Sequence, residues 1–506
     1  MQQKEKTNLS DLSKVTKGAG ITLTGNMVGK GILLFYTIFL ARVLGANDLG
    51  LYLLGITIVR LMTILSILGL DTGVVRYVAI YNGRNDLGRM KGTVIISAII
   101  TMLPSIVFIG LTFLLGDFVA TFVFHKPELG SIIKLLSLSI PFESLMRILL
   151  ASTRGLKLMQ YVAYTEHLTR VGIRFLFAIF FLFGMGLGLE GVALAYVASS
   201  IFAAGLAFYY ANKLISVLDT KTRPLFEIKN LLNFSIPMVF TVLIYDLMSR
   251  VDILMLGVFV SSSEVGIYTI AVRIIMLAQV VFMAFQPIFQ PFVAELHDKK
   301  EFERLSNLLK VLTQWSVTIS LPVFLSLLLF PGFFLHFFGN EFVKGSGCLS
   351  ILVVAFLFSS VSSLPASIIF MAGRSDLSLI NNLATLIINA TLNYLLIPRF
   401  GIIGAAFATG ISFVFLSFIR IIEVYILMQI HPLKLDIWKP LAAGAGSLIP
   451  VFLLQSSQIL QGYSSIPLLL SIFLVLYVSL VHLLKLDEEM VLIKQKIKEK
   501  LTLLFR

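Results

Sequence analysis

Apolar residues in this chain fall in runs of about 20 separated by short polar stretches, and that rhythm constrains the fold more than any other feature. A helix of that length crosses the hydrocarbon core of a bilayer, whereas a transmembrane barrel would show short alternating segments. Of 506 residues, 58% are hydrophobic and 13% charged, the latter roughly half the share of a soluble protein. The sequence therefore predicts an all-α integral membrane protein of about 14 transmembrane helices. The expected spans are 18–41, 51–79, 92–115, 131–153, 161–184, 190–211, 231–259, 264–294, 307–330, 346–372, 376–397, 401–428, 440–456 and 464–484.

Two patterns occur twice. Asp48-Leu49-Gly50-Leu51-Tyr52, followed by Arg60, returns as Glu264-Val265-Gly266-Ile267-Tyr268, followed by Arg273, at an offset of 216 residues. Gly188-x-x-Gly191-Val192-Ala193-x-Ala195 returns as Gly401-x-x-Gly404-Ala405-Ala406-x-Ala408, at an offset of 213. Both equate helix n with helix n + 6, so the chain is expected to hold two pseudo-symmetric six-helix lobes inserted the same way up. The expected organisation is a cytoplasmic tail (1–17), an N-lobe of helices 1–6 (18–211), a cytoplasmic linker (212–230), and a C-lobe of helices 7–12 (231–428). A C-terminal helix pair (440–484) and an amphipathic cytoplasmic tail (485–506) complete it. In that tail Leu486, Met490, Ile493, Ile497, Leu501 and Leu504 share a face, which suits an anchor on the leaflet surface.

The net charge of +13 is distributed as topology. One set of loops and tails holds 27 Lys and Arg, and the opposite loops hold only Arg42, Lys126, Lys344 and Arg399. This places both termini in the cytoplasm of a multi-pass protein of the cytoplasmic membrane, and it excludes a nucleic-acid face. No cleavable signal peptide is expected, because the first apolar segment is long enough to span and lacks a small-residue cleavage site. The lone Cys348 excludes an intrachain disulfide. The six histidines are scattered without ligand spacing, so no metal site is expected, and no phosphate-cradling Gly-x-x-x-x-Gly-Lys-Ser/Thr loop is present. Neither an enzyme nor a cofactor is indicated.

Several passages resemble a known family. They are Leu40-Ala41-Arg42-Val43-Leu44-Gly45 leading into Gly50-Leu51-Tyr52; Asp252 to Gly257 followed by Glu264 to Tyr268; Phe338-Gly339-Asn340-Glu341-Phe342; and Asn389 through Asn393 to Leu396-Ile397-Pro398-Arg399-Phe400-Gly401-Ile402-Ile403-Gly404-Ala405-Ala406. Together they are similar to the polysaccharide-biosynthesis, Wzx-like branch of the multidrug/oligosaccharidyl-lipid/polysaccharide exporter superfamily. The resemblance implies a flippase that carries a polyprenyl-(pyro)phosphate-linked oligosaccharide from the cytoplasmic to the outer leaflet by alternating access. Its partners would be that substrate, membrane lipids and glycan-assembly machinery. An ion-coupled multidrug or toxin extruder on the same fold, and a lipid II-type flippase, are the alternatives.

Charges within spans are costly and mark either structural pairs or a transport path. Glu143 and Arg147, Glu166 and Arg170, and Asp246 and Arg250 stand at i,i+4, and Arg420 and Glu423 at i,i+3, so each can neutralise itself on one helix face. Lys30, Arg60, Arg174 and Arg273 have no acid at i±3 or i±4. A mobile pyrophosphate would meet such cations well, and an acid on a neighbouring helix would serve as well. The resemblance extends to lipid II flippases with cavity cations on helices 1, 2 and 8, which implies pyrophosphate-binding roles for Lys30, Arg60 and Arg273. Asp71, Asp252 and Asp246 are candidate carboxylates for coupling to a proton or sodium gradient. Asn26 and Gln279 are candidate sugar contacts. Asn389 and Asn393, one turn apart, are expected to join helices.

Overall fold

The computed structural model describes residues 2–219, 222–456 and 462–484, and of residues 2–27 only the backbone. The amphipathic tail expected over 485–506 lies outside the described residues. Every regular element among the described residues is helical. The protein is an integral membrane protein: nine described stretches are long and apolar enough to cross a bilayer, among them Val28–Ile67, Leu87–Val123, Gly188–Ile215 and Ser375–Met428.

The chain forms two compact units. The first comprises Met1–Thr269 and Asn389–Ala405, the second Ile270–Ile388 and Ala406–Arg506. The first unit opens with α1 (Gln2–Ile67), which carries helix 1 and most of helix 2 across a break at Gly45 (φ 73°, ψ −179°). Then follow α2 (Leu70–Gly83), α3 (Leu87–Phe118), α4 (Glu128–Ser137), α5 (Ile140–Gly155), α6 (Gln160–Val162), α7 (Arg170–Ile179) and α8 (Gly188–Ile215). A π-helical segment, Ala163–Thr169, joins α6 to α7. Beyond the linker come α9 (Ile228–Met248), α10 (Val251–Phe259) and the first turns of α11 (Ser262–Ala278).

Several expected single spans are interrupted. Helix 2 breaks between α1 and α2, where Leu68 and Gly69 both take left-handed backbone (φ 53° and 68°). Helix 7 breaks between α9 and α10 at Ser249 and Arg250. The first break has a glycine to announce it; the second has neither glycine nor proline, and hydropathy reads straight through it. Broken helices inside a bilayer are tolerated where they face protein or a polar cavity, because their freed backbone groups need partners.

Lipid gives little driving force for helices to associate, so close contact depends on small side chains. On α8, Ala204, Ala207 and Ala211 recur at three- and four-residue spacing and all are buried. They pack beside Met146, Leu149 and Leu150 of α5 in a core that extends to Val74 and Val78 of α2 and Leu231 of α9. The far side of α3 points outward, with Leu103 71% and Leu114 80% exposed, as a lipid-facing surface requires.

The repeat is visible in the backbone. Gly188 and Gly401 both take left-handed φ (53° and 55°), a conformation that favours glycine. Gly50 and Gly266 mark a close crossing of α1 and α11. A Cβ on Gly50 would lie 1.8 Å from the Ser262 carbonyl oxygen, and one on Gly266 would lie 2.3 Å from that of Ala46. Residues 46 and 262 stand at the same 216-residue offset as 50 and 266, so the contact is its own mirror under the repeat.

The second unit continues α11 into α12 (Val280–Asp298), α13 (Phe302–Leu329), α14 (Pro331–His336), α15 (Ser346–Ser360), α16 (Ser363–Met371), α17 (Ser375–Met428), α18 (Trp438–Ser456) and α19 (Ile466–Leu483). The middle of α17, broken at Gly401, belongs to the first unit. Phe289, Leu309, Ile368 and Val424 form one core. Phe330, Val451 and Phe473 form another that ties α18 and α19 to the unit. The Tyr477 hydroxyl fastens α19 to α13 by donating to the Thr318 carbonyl at 2.8 Å.

Candidate substrate-binding site

The break in helix 7 creates the site. Asp246 lies on the last turn of α9, and Arg250 follows in non-helical backbone (φ −141°, ψ −5°) before α10 begins. The i,i+4 relation survives the break as a 3.2 Å approach between Arg250 Nε and Asp246 Oδ2. Arg60 of α1 reaches the same carboxylate from another helix, its Nε donating to Asp246 Oδ1 at 2.8 Å. The neighbour that the sequence left open for Arg60 is thus Asp246, a residue its spacing had assigned to Arg250.

A second cluster lies in the same unit. Arg170 and Arg174 stand one turn apart on α7 and are both buried. Arg170 donates to the Glu143 carboxylate of α5 and to the Tyr196 hydroxyl of α8 at 3.2 Å. Arg174 donates to Ser199 Oγ at 3.3 Å, and its guanidinium lies 4.2 Å from the Tyr196 ring centroid, a cation–π contact. Ser200 donates to Glu143 at 3.3 Å. Glu143, expected to pair with Arg147 of its own helix, makes its ion pair with Arg170 of another helix, and Arg147 lies only within electrostatic reach. Glu166, expected beside Arg170, sits in the π-helical segment within electrostatic reach of it, while the carboxylate that Arg170 contacts is that of Glu143.

Four guanidiniums, Arg60, Arg250, Arg170 and Arg174, stand in these two clusters, where Asp246 and Glu143 take the ion pairs and Glu166 lies within electrostatic reach of Arg170. A membrane-embedded group with that excess suits an anion. Arg60 retains 36% of its side-chain surface and Arg250 26%, whereas Asp246 keeps 9%.

The remaining candidates are placed as follows. Lys30 is half-buried on α1, beside Gly29, whose close approach to His167 packs α1 against the π-helical segment. Asp71 opens α2 and accepts from the Thr72 backbone at 2.9 Å. Asp252 opens α10, accepts from the Ile253 backbone at 2.8 Å and receives the Tyr268 hydroxyl. Arg273 is half-buried on the part of α11 in the second unit. Gln279 occupies the break between α11 and α12. The Asn26 side chain lies outside the described residues. Asn393 donates to Asn389 at 2.8 Å along one helix. Sequence reasoning overlooked Arg250, Tyr196 and Ser199 as site residues. The one signal available was the i,i+4 spacing of Arg170 and Arg174, which puts two cations on a single face.

The family model described as polysaccharide biosynthesis protein matches residues 15–297, and the MatE model matches residues 237–395. The probable low-salt glycan biosynthesis flippase Agl15 of Haloferax volcanii is 25% identical over 403 residues, covering 77% of this chain and 79% of that protein. The putative O-antigen transporter of Shigella flexneri is 25% identical over 387 residues, covering 74% of this chain and 88% of its own. Among solved structures, the lipid II flippase MurJ in an inward closed conformation superposes with a TM-score of 0.75 at 14% identity, over 93% of this chain and 99% of that one. These relatives and neighbours are flippases and transporters by name, not enzymes.

Proposed function

Because this chain belongs to the polysaccharide biosynthesis protein family, we propose that it is a flippase for a polyprenyl-(pyro)phosphate-linked oligosaccharide. It carries the glycolipid from the cytoplasmic to the outer leaflet for the assembly of a surface glycan. The observation that carries this reading is the pairing of Arg60 and Arg250 on one carboxylate, with a second cluster in the same unit in which Arg170 pairs with Glu143 and Arg174 lies against the Tyr196 ring. Guanidinium forks bind phosphate oxygens in bidentate fashion, and a diphosphate supplies the charge that this excess lacks. The names of the glycan flippase and O-antigen transporter relatives support the same substrate class.

Transport exposes the site to each leaflet in turn, with both termini in the cytoplasm. A proton or sodium gradient drives it, with Asp71 and Asp252 as the carboxylates available for coupling. Arg60→Ala should abolish glycan export in cells lacking their own flippase while the protein still folds and inserts. Arg60→Lys should keep part of the activity, since charge survives and the planar fork does not. Full export by Arg60→Ala would remove the reading.

The MatE match over 237–395 raises a second reading, an extruder of organic cations. Repulsion from Arg60, Arg250, Arg170 and Arg174 opposes it. Drug resistance conferred by the wild-type protein and kept in Arg60→Ala would favour it instead.

A further inference from the structure

The sequence treats Asp246 as the local partner of Arg250, and on that reading the pair is self-neutralised and inert. The geometry is less settled. Asp246 is nearly buried and shared between two arginines on different elements. Among the described residues its Oδ2 has no hydrogen-bond donor and Arg250 Nε, 3.2 Å away, has no hydrogen-bond acceptor, so that contact is an ion pair without hydrogen-bond alignment. Buried polar atoms left unmatched are uncommon in native structures and call for a physical reason. The arginines meet the carboxylate through Nε, so neither contact uses the terminal nitrogens that form the far end of each fork. Two like charges are held together by a single carboxylate that satisfies only one of them well.

We propose that Asp246 is an internal counter-anion, holding Arg60 and Arg250 in place until the substrate's diphosphate displaces it. Arg250 is then a second diphosphate ligand, and Asp246 a positioning residue that competes with substrate. This rests on the reading of the substrate as a lipid diphosphate. The charge balance favours the exchange. A diphosphate diester carries two negative charges at neutral pH and matches two guanidiniums, where Asp246 offers one. Because Arg250 sits in the break between α9 and α10, exchanging its partner acts on Ser249 and Arg250, the two residues that join those helices. Binding is thereby tied to the angle of helix 7 at its weakest point.

The test uses the full chain in lipid nanodiscs, with inorganic pyrophosphate as the probe in calorimetric titration. Asp246→Asn removes the competitor and should bind pyrophosphate about tenfold tighter than wild type, whereas Asp246→Glu, which keeps the charge, should stay near wild type. Arg250→Ala should bind about tenfold more weakly, and the gain from Asp246→Asn should vanish in the Arg250→Ala background. That last arm separates competition at Arg250 from a general loss of negative charge. Unchanged or weaker binding by Asp246→Asn, with Arg60→Ala still weakened, would overturn the counter-anion role and leave the diphosphate reading standing. So would full affinity in Arg250→Ala, which does not depend on the aspartate variant folding. Binding by Arg60→Ala as tight as wild type would remove the diphosphate reading and this inference with it.

Discussion

Glu143 shows how much a single carboxylate holds in this protein. It is 4% exposed and serves Arg170 and Ser200 from two other helices. Removing one member of a buried ion pair leaves the other charge uncompensated, at a cost of about 3–5 kcal/mol. Glu143→Gln should destabilise the protein by that order in denaturant unfolding of the detergent-solubilised chain. Glu143→Leu combined with Arg170→Met should recover most of the loss, because apolar replacements of similar volume remove both desolvation penalties. A double variant no more stable than the single one would locate the stabilisation in Tyr196 and Ser200, not in the charge pair. At this scale the sequence was half legible. Arg60, Arg174 and Asp246 stood out as charges in apolar runs. Their partnerships did not, because Arg60 and Asp246 are 186 residues apart and nothing local encodes that they meet.

Among the elements, the crossing of α1 and α11 is the tightest consequence of the repeat. Because a Cβ on Gly50 would lie 1.8 Å from a backbone oxygen, Gly50→Ala has no rotamer that relieves it, and the helices must separate. Overpacking of this kind typically costs about 1–3 kcal/mol. Gly50→Ala and Gly266→Ala should each lower the thermal unfolding midpoint. Gly110→Ala, on α3 with nothing within 4 Å, should leave it unchanged or raise it, since alanine is the better helix former. Equal midpoints for all three would mean that the crossing does not persist in the membrane. The glycines were legible as a repeated motif, and the hydropathy runs located the helices. The breaks were legible only in part. Gly69 marks one, but Ser249 and Arg250 have ordinary helical residues around them, and no local signal announces that break.

For the whole molecule, the asymmetry of 27 against 4 basic residues predicts an orientation that a chemical probe can test. With Cys348, which is buried, replaced by serine, Ser263→Cys between helices 7 and 8 should react with an impermeant thiol reagent in intact cells. Lys299→Cys should react only after the membrane is opened. The reverse pattern would invert the topology and the direction of transport built on it. Translocation is the most direct measure of the central claim. Proteoliposomes would receive a fluorescent polyprenyl-diphosphate oligosaccharide or its uncharged polyprenyl analogue, and a membrane-impermeant quencher would report which leaflet holds the label. The account predicts protein-dependent transfer of the diphosphate lipid only, lost in Arg60→Ala. Equal transfer of both lipids, or transfer undiminished in that variant, would contradict it.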